Sequence, residues 1–347
     1  MKKGLIKIAK IIRNALLAIV LLVIIFLIGT TIWNKAICLQ EDKILNQVGT
    51  KVDANGVNIR TCVTGNGEKT IVLLSGLGTP SPIIDFKPLA EKLSTSYRVV
   101  TLEYTGYGLS EDANVDKSNK AIVEEIRETL NQLHIKPPYI LMPHSISGVY
   151  CLQYMKSYPK EVEAMIGIDS SVPNQGKYEE NEKISNGLYY LVRFMDFTGL
   201  TRLSNLSRAA FLKDMEAGGS YSKKEMKIVT ALYNRKQVTR ALLNESRSLP
   251  ENLKSLYDVK YPADKPVLFI LSDGTCKQLK EESKKLGYEA SWEGLHEEVI
   301  SNPEIQKITY LEGQHYLHWT QANTIADLTE EFLQKDSISN DMDVVQE

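Results

Sequence analysis

The chain has 347 residues, enough for one large core or for a core with a smaller subdomain. Lys and Arg number 41 against 43 Asp and Glu, so no basic surplus points to nucleic acid; 43% hydrophobic and 24% charged residues are the proportions of a globular protein. Cys38, Cys62, Cys151 and Cys276 are widely scattered, with no CxxC pair and no metal-ligand spacing, which argues against a disulfide scaffold at this size.

Residues 15–33, ALLAIVLLVIIFLIGTTIW, carry no charge. At ~1.5 Å per residue they would extend ~28 Å as a helix, about one hydrocarbon core. Lys2, Lys3, Lys7, Lys10 and Arg13 precede the run and Lys35 follows it, so the positive-inside rule puts residues 1–14 in the cytoplasm and the rest of the chain outside. A cleaved signal peptide would have a shorter apolar core, ~7–15 residues, ending at small residues. Here TTIWNKAIC offers no such site, and the reading is an uncleaved membrane anchor followed by a polar linker over 34–46.

The alternating stretch VGTKVDANGVNIRTCVTGNG contains Asn55-Gly56, a hairpin signal. KTIVLLSG then reads as a buried parallel strand, IIDFKPLAEKLS as a helix, YRVVTLEY as a second buried strand and KSNKAIVEEIRETLNQLH as an amphipathic helix. YILMPHS is a third strand leading into a helix from about Ser147, VEAMIGIDSS a fourth, and KPVLFILSDG and QKITYLEG a fifth and sixth. The alternation predicts an α/β fold, a mostly parallel sheet with helices on both faces. Between the fourth and fifth strands the pattern turns helical over 174–264, an insertion that divides the core into 47–173 and 265–335. The acidic tail over 336–347 has no periodic apolar face and is expected to be disordered.

The segment PHSISG ends the third strand and opens a helix. At the carboxyl end of a parallel strand, a sharp turn of small residues can project a serine above the sheet. Ser145 is the candidate nucleophile, with Ser147 the alternative two residues further into the helix. A serine hydroxyl needs a base to become nucleophilic, and an oxyanion needs preorganised donors. The backbone N–H groups of Ile146 and of Leu77, in LLSGLGT after the first buried strand, are the candidate donors. His315 in EGQHYLHW, after the last strand, is the candidate base, with His318 the alternative. His144 reads as structural, Tyr104 and Tyr107 as packing groups, and His134 and His296 as surface residues.

These motifs together resemble the α/β-hydrolase fold serine hydrolases with a helical cap. SGLGT stands where that family has His-Gly-x-Gly, EYTGYGLSE where it has Asp-x-x-Gly-x-Gly-x-Ser, PHSISG at its nucleophile elbow, and GQHYLH at its terminal Gly-His segment. The resemblance spans about residues 49–334. Three positions depart from it: Pro143 and Ser147 replace the elbow glycines, and Ser75 replaces the histidine before Gly76. What it implies is hydrolysis of a carboxylic ester or related small acyl substrate through an acyl-enzyme, with no metal or organic cofactor. A peptidase similar to the prolyl aminopeptidases is the runner-up, and a non-catalytic binding or docking module the alternative outside enzymes. In such enzymes an acid orients the base, most often after the strand that follows the cap; Asp273 in FILSDGT holds that place, and Asp169 in IGIDSS the alternative one after the strand before the cap. Tyr189, Tyr190, Phe194 and Phe197 are candidates for an apolar pocket roof or for cap-to-core packing.

Overall fold

The structure is a computed structural model that describes residues 2–178, 183–204, 210–287 and 290–344. Its eight strands are β1 (Thr50–Ala54), β2 (Val57–Thr64), β3 (Thr70–Leu74), β4 (Arg98–Glu103), β5 (Tyr139–Pro143), β6 (Val162–Ile168), β7 (Val267–Ser272) and β8 (Gln306–Leu311). They form one sheet in the order β1-β2-β4-β3-β5-β6-β7-β8. The pairs β1–β2 and β2–β4 are antiparallel and every other pair is parallel. Asn55 and Gly56 join β1 to β2 with φ of 55° and 81°, the paired positive values that a two-residue hairpin turn requires.

Helix α1 spans Lys2–Leu45. Helices α2 (Pro82–Asp85) and α3 (Lys87–Leu93) follow β3, α4 (Asn119–Gln132) follows β4, and α5 (Ser147–Ser157) follows β5. The segment between β6 and β7 carries α6 (Asn186–Thr198), α7 (Leu200–Ser204), α8 (Ala210–Ala217), α9 (Lys223–Arg235) and α10 (Arg240–Lys254), the helical insertion expected there. Helices α11 (Asp273–Leu286) and α12 (Trp292–Val299) separate β7 from β8, and α13 (Ala322–Val344) ends the described chain.

The central strands are apolar on both faces because both faces are covered. Val72, Leu74, Val100, Leu102 and Leu141 point into one core with residues of α4, α5 and α12. Their sequence neighbours Ile71, Leu73, Val99, Ile140 and Met142 point into the other with residues of α3 and α13. Polar groups start the helices: Ser118 caps α4, Ser222 and Glu225 form a capping box on α9, and Thr239 caps α10.

Two expectations change at the ends of the chain. Residues 34–46 are not a linker: α1 continues unbroken to Leu45, since neither glycine nor proline interrupts the chain between Gly29 and Gly49, and tertiary contacts hold the extension. The Asn34 side-chain amide donates to the carbonyls of Asp196 (2.9 Å) and Phe197 (3.2 Å), and Arg202 donates from Nε to Asn34 Oδ1 (2.6 Å). Arg202 also grips Glu41 with both terminal nitrogens, each at 2.7 Å, and Arg235 reaches Asp42 at 2.8 Å. Gly199 (φ 80°) closes α6 hard against this helix, because a Cβ there would lie 2.7 Å from Asn34 Cβ. Leu45 and Val48 then enter a core with Ile83, Ile84, Met226 and Trp319. At the other end, α13 runs to Val344 where disorder was expected, with no glycine or proline to stop it; residues 345–347 and the side chains of 336–344 lie outside the described residues.

The two-pronged Arg202–Glu41 pair is the most enclosed ion pair between α1 and the insertion among the described residues, with side-chain exposures of 8% and 16%. Glu41→Ala leaves a largely enclosed guanidinium without its carboxylate and should cost about 3 kcal/mol, read from chemical unfolding of the full chain in detergent. Glu331→Ala, which breaks the exposed pair with Lys335, should cost less than about 1 kcal/mol. Equal costs would mean that the α1 contact is no stronger than a surface pair.

Candidate active site

The carboxyl ends of β3, β5, β6 and β7, and the loop after β8, bring together the groups singled out in the sequence. After β5 the chain turns at Ser145 with φ 53°, a left-handed conformation that side chains other than glycine rarely adopt and that tends to mark functional turns. The turn is clamped from both sides: His144 N–H donates to Leu74 O at 2.8 Å, and Ser171 N–H donates to Ser145 O at 2.7 Å. Gly76 admits this close approach, since a Cβ there would sit 2.9 Å from Ser145 Cβ. Gly148 at the start of α5 is similarly pressed against Ser170 and the Ser171 carbonyl.

Ser145 and His315 line one cavity of about 320 Å³, together with Ser171, Gln175, Thr275, Gln278, Leu279, Glu282 and Trp292. Ser147 is turned away from it. Its hydroxyl is fully buried, donates to Ser75 O at 2.6 Å and pairs with Tyr104 OH at 2.9 Å, so it closes the elbow instead of facing a substrate.

The carboxylate that meets His315 is that of Asp169, the alternative position, and not that of Asp273. His315 Nδ1 donates to Asp169 Oδ2 at 2.7 Å. Asp169 is fully buried at the end of β6 with φ 41°, and three further donors hold its carboxylate. Ser272 N–H reaches Oδ1 at 2.9 Å, Trp292 Nε1 reaches Oδ1 at 2.8 Å, and the Thr275 hydroxyl reaches Oδ2 at 2.6 Å. Asp273 instead opens α11, where its carboxylate accepts from Gly313 N–H at 2.9 Å and pairs with Lys277 at 2.5 Å. The Lys277 ammonium, then the Gly313 N–H, hold that carboxyl below its ordinary range. Asp273 therefore braces the loop that carries His315 without touching the imidazole. A helix start directs the side chain back along the first turn, whereas the residue after β6 stands at the strand ends themselves.

The remaining histidines and tyrosines also have definite places. His318 is buried and bonded through Nε2 to Asp85 Oδ2 at 2.8 Å, and Trp319 Nε1 bonds the other Asp85 oxygen at 2.7 Å. His296, expected on the surface, is fully buried because α12 packs against β7: its nitrogens lie 2.7 Å from Trp292 O and 2.8 Å from Ser170 O. Tyr107 OH accepts from Gly78 N–H at 3.0 Å and donates to Glu245 at 2.9 Å, fixing the loop that carries Leu77. Trp292, Thr275 and Glu245 had no signal in the sequence, since each acts through packing brought about by distant segments. Tyr189 is buried, whereas Tyr190, Phe194 and Phe197 are exposed, and none of the four lines the cavity.

A parallel sheet with antiparallel strands at one edge, a serine on a left-handed turn after β5 and a histidine after the last strand carry one architecture. The family profile described as alpha/beta hydrolase fold matches residues 69–280. The chain belongs to the α/β hydrolase fold family. As an α/β hydrolase it is an enzyme of the hydrolase class. This α/β hydrolase is 28% identical over 340 residues to the uncharacterized protein YbdG of Bacillus subtilis, covering 96% of this chain and 99% of that one. It is 31% identical over 105 residues to the putative carbamate hydrolase RutD of Yersinia enterocolitica, a match covering 29% of this chain and 36% of that protein. Among solved structures it shares its fold with a thermophilic esterase from Thermogutta terrifontis, at a TM-score of 0.55 and 15% identity, covering 82% of this chain and 98% of that one.

Next to His315 lies His144, fully buried, with Nε2 3.1 Å from the His315 carbonyl. Burial first, then the neighbouring His315 and His318, push its pKa well below the ordinary value. Its folded-state pKa is thus depressed relative to the unfolded chain, so the stability it contributes is present above the unfolded value of about 6.5 and is lost as pH falls below it. The melting temperature should therefore drop between about pH 7.5 and about pH 5.5, and by less in His144→Phe. Equal drops in the two proteins would assign the acid sensitivity elsewhere.

Proposed function

We propose that the chain is a membrane-anchored serine hydrolase that cleaves a carboxylic ester or related small acyl substrate. The observation that carries this reading is the 2.7 Å contact of His315 Nδ1 with Asp169, made at a cavity that His315 shares with Ser145. The buried carboxylate keeps the proton on Nδ1, which leaves Nε2 free to act as a base.

In the proposed reaction Ser145 Oγ attacks the substrate carbonyl while His315 Nε2 takes its proton. The N–H groups of Leu77 and Ile146 receive the developing oxyanion. The tetrahedral adduct collapses, the imidazolium returns the proton to the leaving alkoxide, and an acyl-serine remains. Water attacks that ester with His315 again as base, releasing the acid and restoring the serine. Asp169 stays ionised throughout and stabilises the imidazolium. The helical insertion serves as the cap over the core, and α1 as the anchor, with residues 1–14 in the cytoplasm and the catalytic domain on the far side of the membrane. The apolar run of α1, wholly exposed through residue 26, supports that reading.

A fluorophosphonate probe should label the chain at Ser145, and Ser145→Ala should abolish labelling and lower ester turnover by several orders of magnitude. Labelling at Ser147, or none at all, would sink the proposal, the second outcome favouring a binding module. Asp169→Asn should reduce turnover of a saturating ester by ~10⁴ while Asp273→Asn stays within about tenfold of the parent. The reverse ranking would return the acid to Asp273. Protease added to intact cells should remove the catalytic domain, and protection until lysis would reverse the orientation.

A further inference from the structure

Helix α6 carries an apolar face that is largely exposed. Leu188, Tyr190, Leu191, Phe194 and Phe197 are 48%, 60%, 55%, 48% and 71% exposed. At ~100° per residue, Tyr190, Leu191, Phe194 and Phe197 fall within an arc of ~120° on one side of the helix, with Leu188 ~60° beyond it. Five large apolar groups on one short helix are more than the scattered exposed residues of an ordinary surface.

The contacts of α1 set the level at which this face lies. At the C-terminal end of α6, a Cβ on Gly199 would lie 3.2 Å from Thr30 O, and the Phe197 and Asp196 carbonyls accept from Asn34. Thr30 lies inside the uncharged run of residues 15–33, and Asn34 is the first residue beyond it. Leu45, where α1 reaches the core beside Ile83 and Ile84, is 11 residues further on and thus about 16 Å higher along the helix. The insertion therefore stands between the core and the apolar run, with α6 meeting α1 where that run ends. At the same level Trp33 is 42% exposed, and Lys35 and Arg193 line a groove with Phe197. Tryptophan and cations flanking an apolar face are the chemistry of the membrane boundary.

We propose that α6 is a second membrane contact: its apolar face sits in the boundary between headgroups and acyl chains, with Lys35 and Arg193 facing lipid phosphates. The occupant is the bilayer that holds α1, because the face is continuous with the end of the apolar run. This rests on the anchor reading of α1. The anchor alone would leave the catalytic domain free to tilt; the second contact holds it with the insertion against the lipid.

The test uses the full chain reconstituted in phosphatidylcholine–phosphatidylglycerol vesicles whose acyl chains carry bromine, a short-range quencher of tryptophan. The parent reports the anchor through Trp33, as Trp292 and Trp319 are buried. Phe197→Trp and Leu191→Trp each add one reporter on the exposed face, and Lys92→Trp adds one on the exposed side of α3 in the core. The emission added at 197 and 191 should fall by roughly half or more in brominated vesicles, as for rings held ~5–10 Å into the boundary, while that added at 92 is unchanged. Quenching of Trp33 without quenching at 197 and 191 would overturn the proposal and leave the anchor standing. An unquenched Trp33 would overturn the anchor, and the proposal with it. Emission at 197 that is blue-shifted but unquenched would also overturn it, and would give the face to a second copy of the chain.

Discussion

The Asp169 carboxylate is the interaction on which the geometry of the site depends. A fully buried carboxylate is costly unless donors replace its hydration. Here the four donors come from four places: Ser272 at the end of β7, Thr275 in α11, Trp292 at the start of α12 and His315 after β8. They can converge only because the strands keep their register, Ile168 beside Ile270 and Ser272 beside Leu311. Orientation of His315 is thus a result of sheet assembly, and the same bonds that aim the imidazole tie the β7–β8 edge to the centre.

A second buried carboxylate joins the insertion to the core. Glu245 of α10 accepts from Tyr107 OH at 2.9 Å and from Tyr150 OH at 2.6 Å. Burial pushes its pKa up, partly offset by the Lys117 ammonium and by those two hydroxyls. Since Tyr107 also accepts from Gly78 N–H, one chain of hydrogen bonds runs from the insertion to the loop that holds Leu77. Tyr150 lies on α5, directly after the Ser145 turn. The insertion consequently takes part in holding both segments from which oxyanion donors are proposed, and its role extends beyond covering the sheet.

Much of this architecture was legible in the sequence because the central strands are buried on both faces and therefore appear as unbroken apolar runs. The Ser145 turn was legible for a related reason: a strand end followed by small residues and a helix leaves few conformations for PHSISG. The choice between Asp169 and Asp273 was not. Both follow the ends of neighbouring strands, and what separates them is that α11 begins at Asp273, turning its carboxylate toward Gly313 and Lys277. His296 was misplaced on the surface because its burial depends on α12 folding over β7, a contact between segments with no local signature. Likewise, the polar composition of residues 34–46 suggested a linker, but its charges are the groups that α7 and α9 grip in a helix.

The same division of labour separates chemistry from placement. The cavity beside Ser145 and His315 is lined from the loop after β6 and from α11 and α12, and α6 supplies none of its walls. Helix α6 instead contacts α1 through its backbone carbonyls, which leaves Leu188, Leu191, Phe194 and Phe197 largely exposed. If α6 rests on lipid as proposed, substitutions on that outer face would alter that contact without moving the donors around Asp169. Residues such as Thr275 and Trp292, by contrast, line the cavity and bond that carboxylate at once, so reshaping the pocket there also disturbs the alignment of His315. Gln278 and Glu282 line the same cavity from the next turns of α11, where they bond each other instead of Asp169, so in the proposed reaction they are positions where the pocket could change with the His315–Asp169 pair intact.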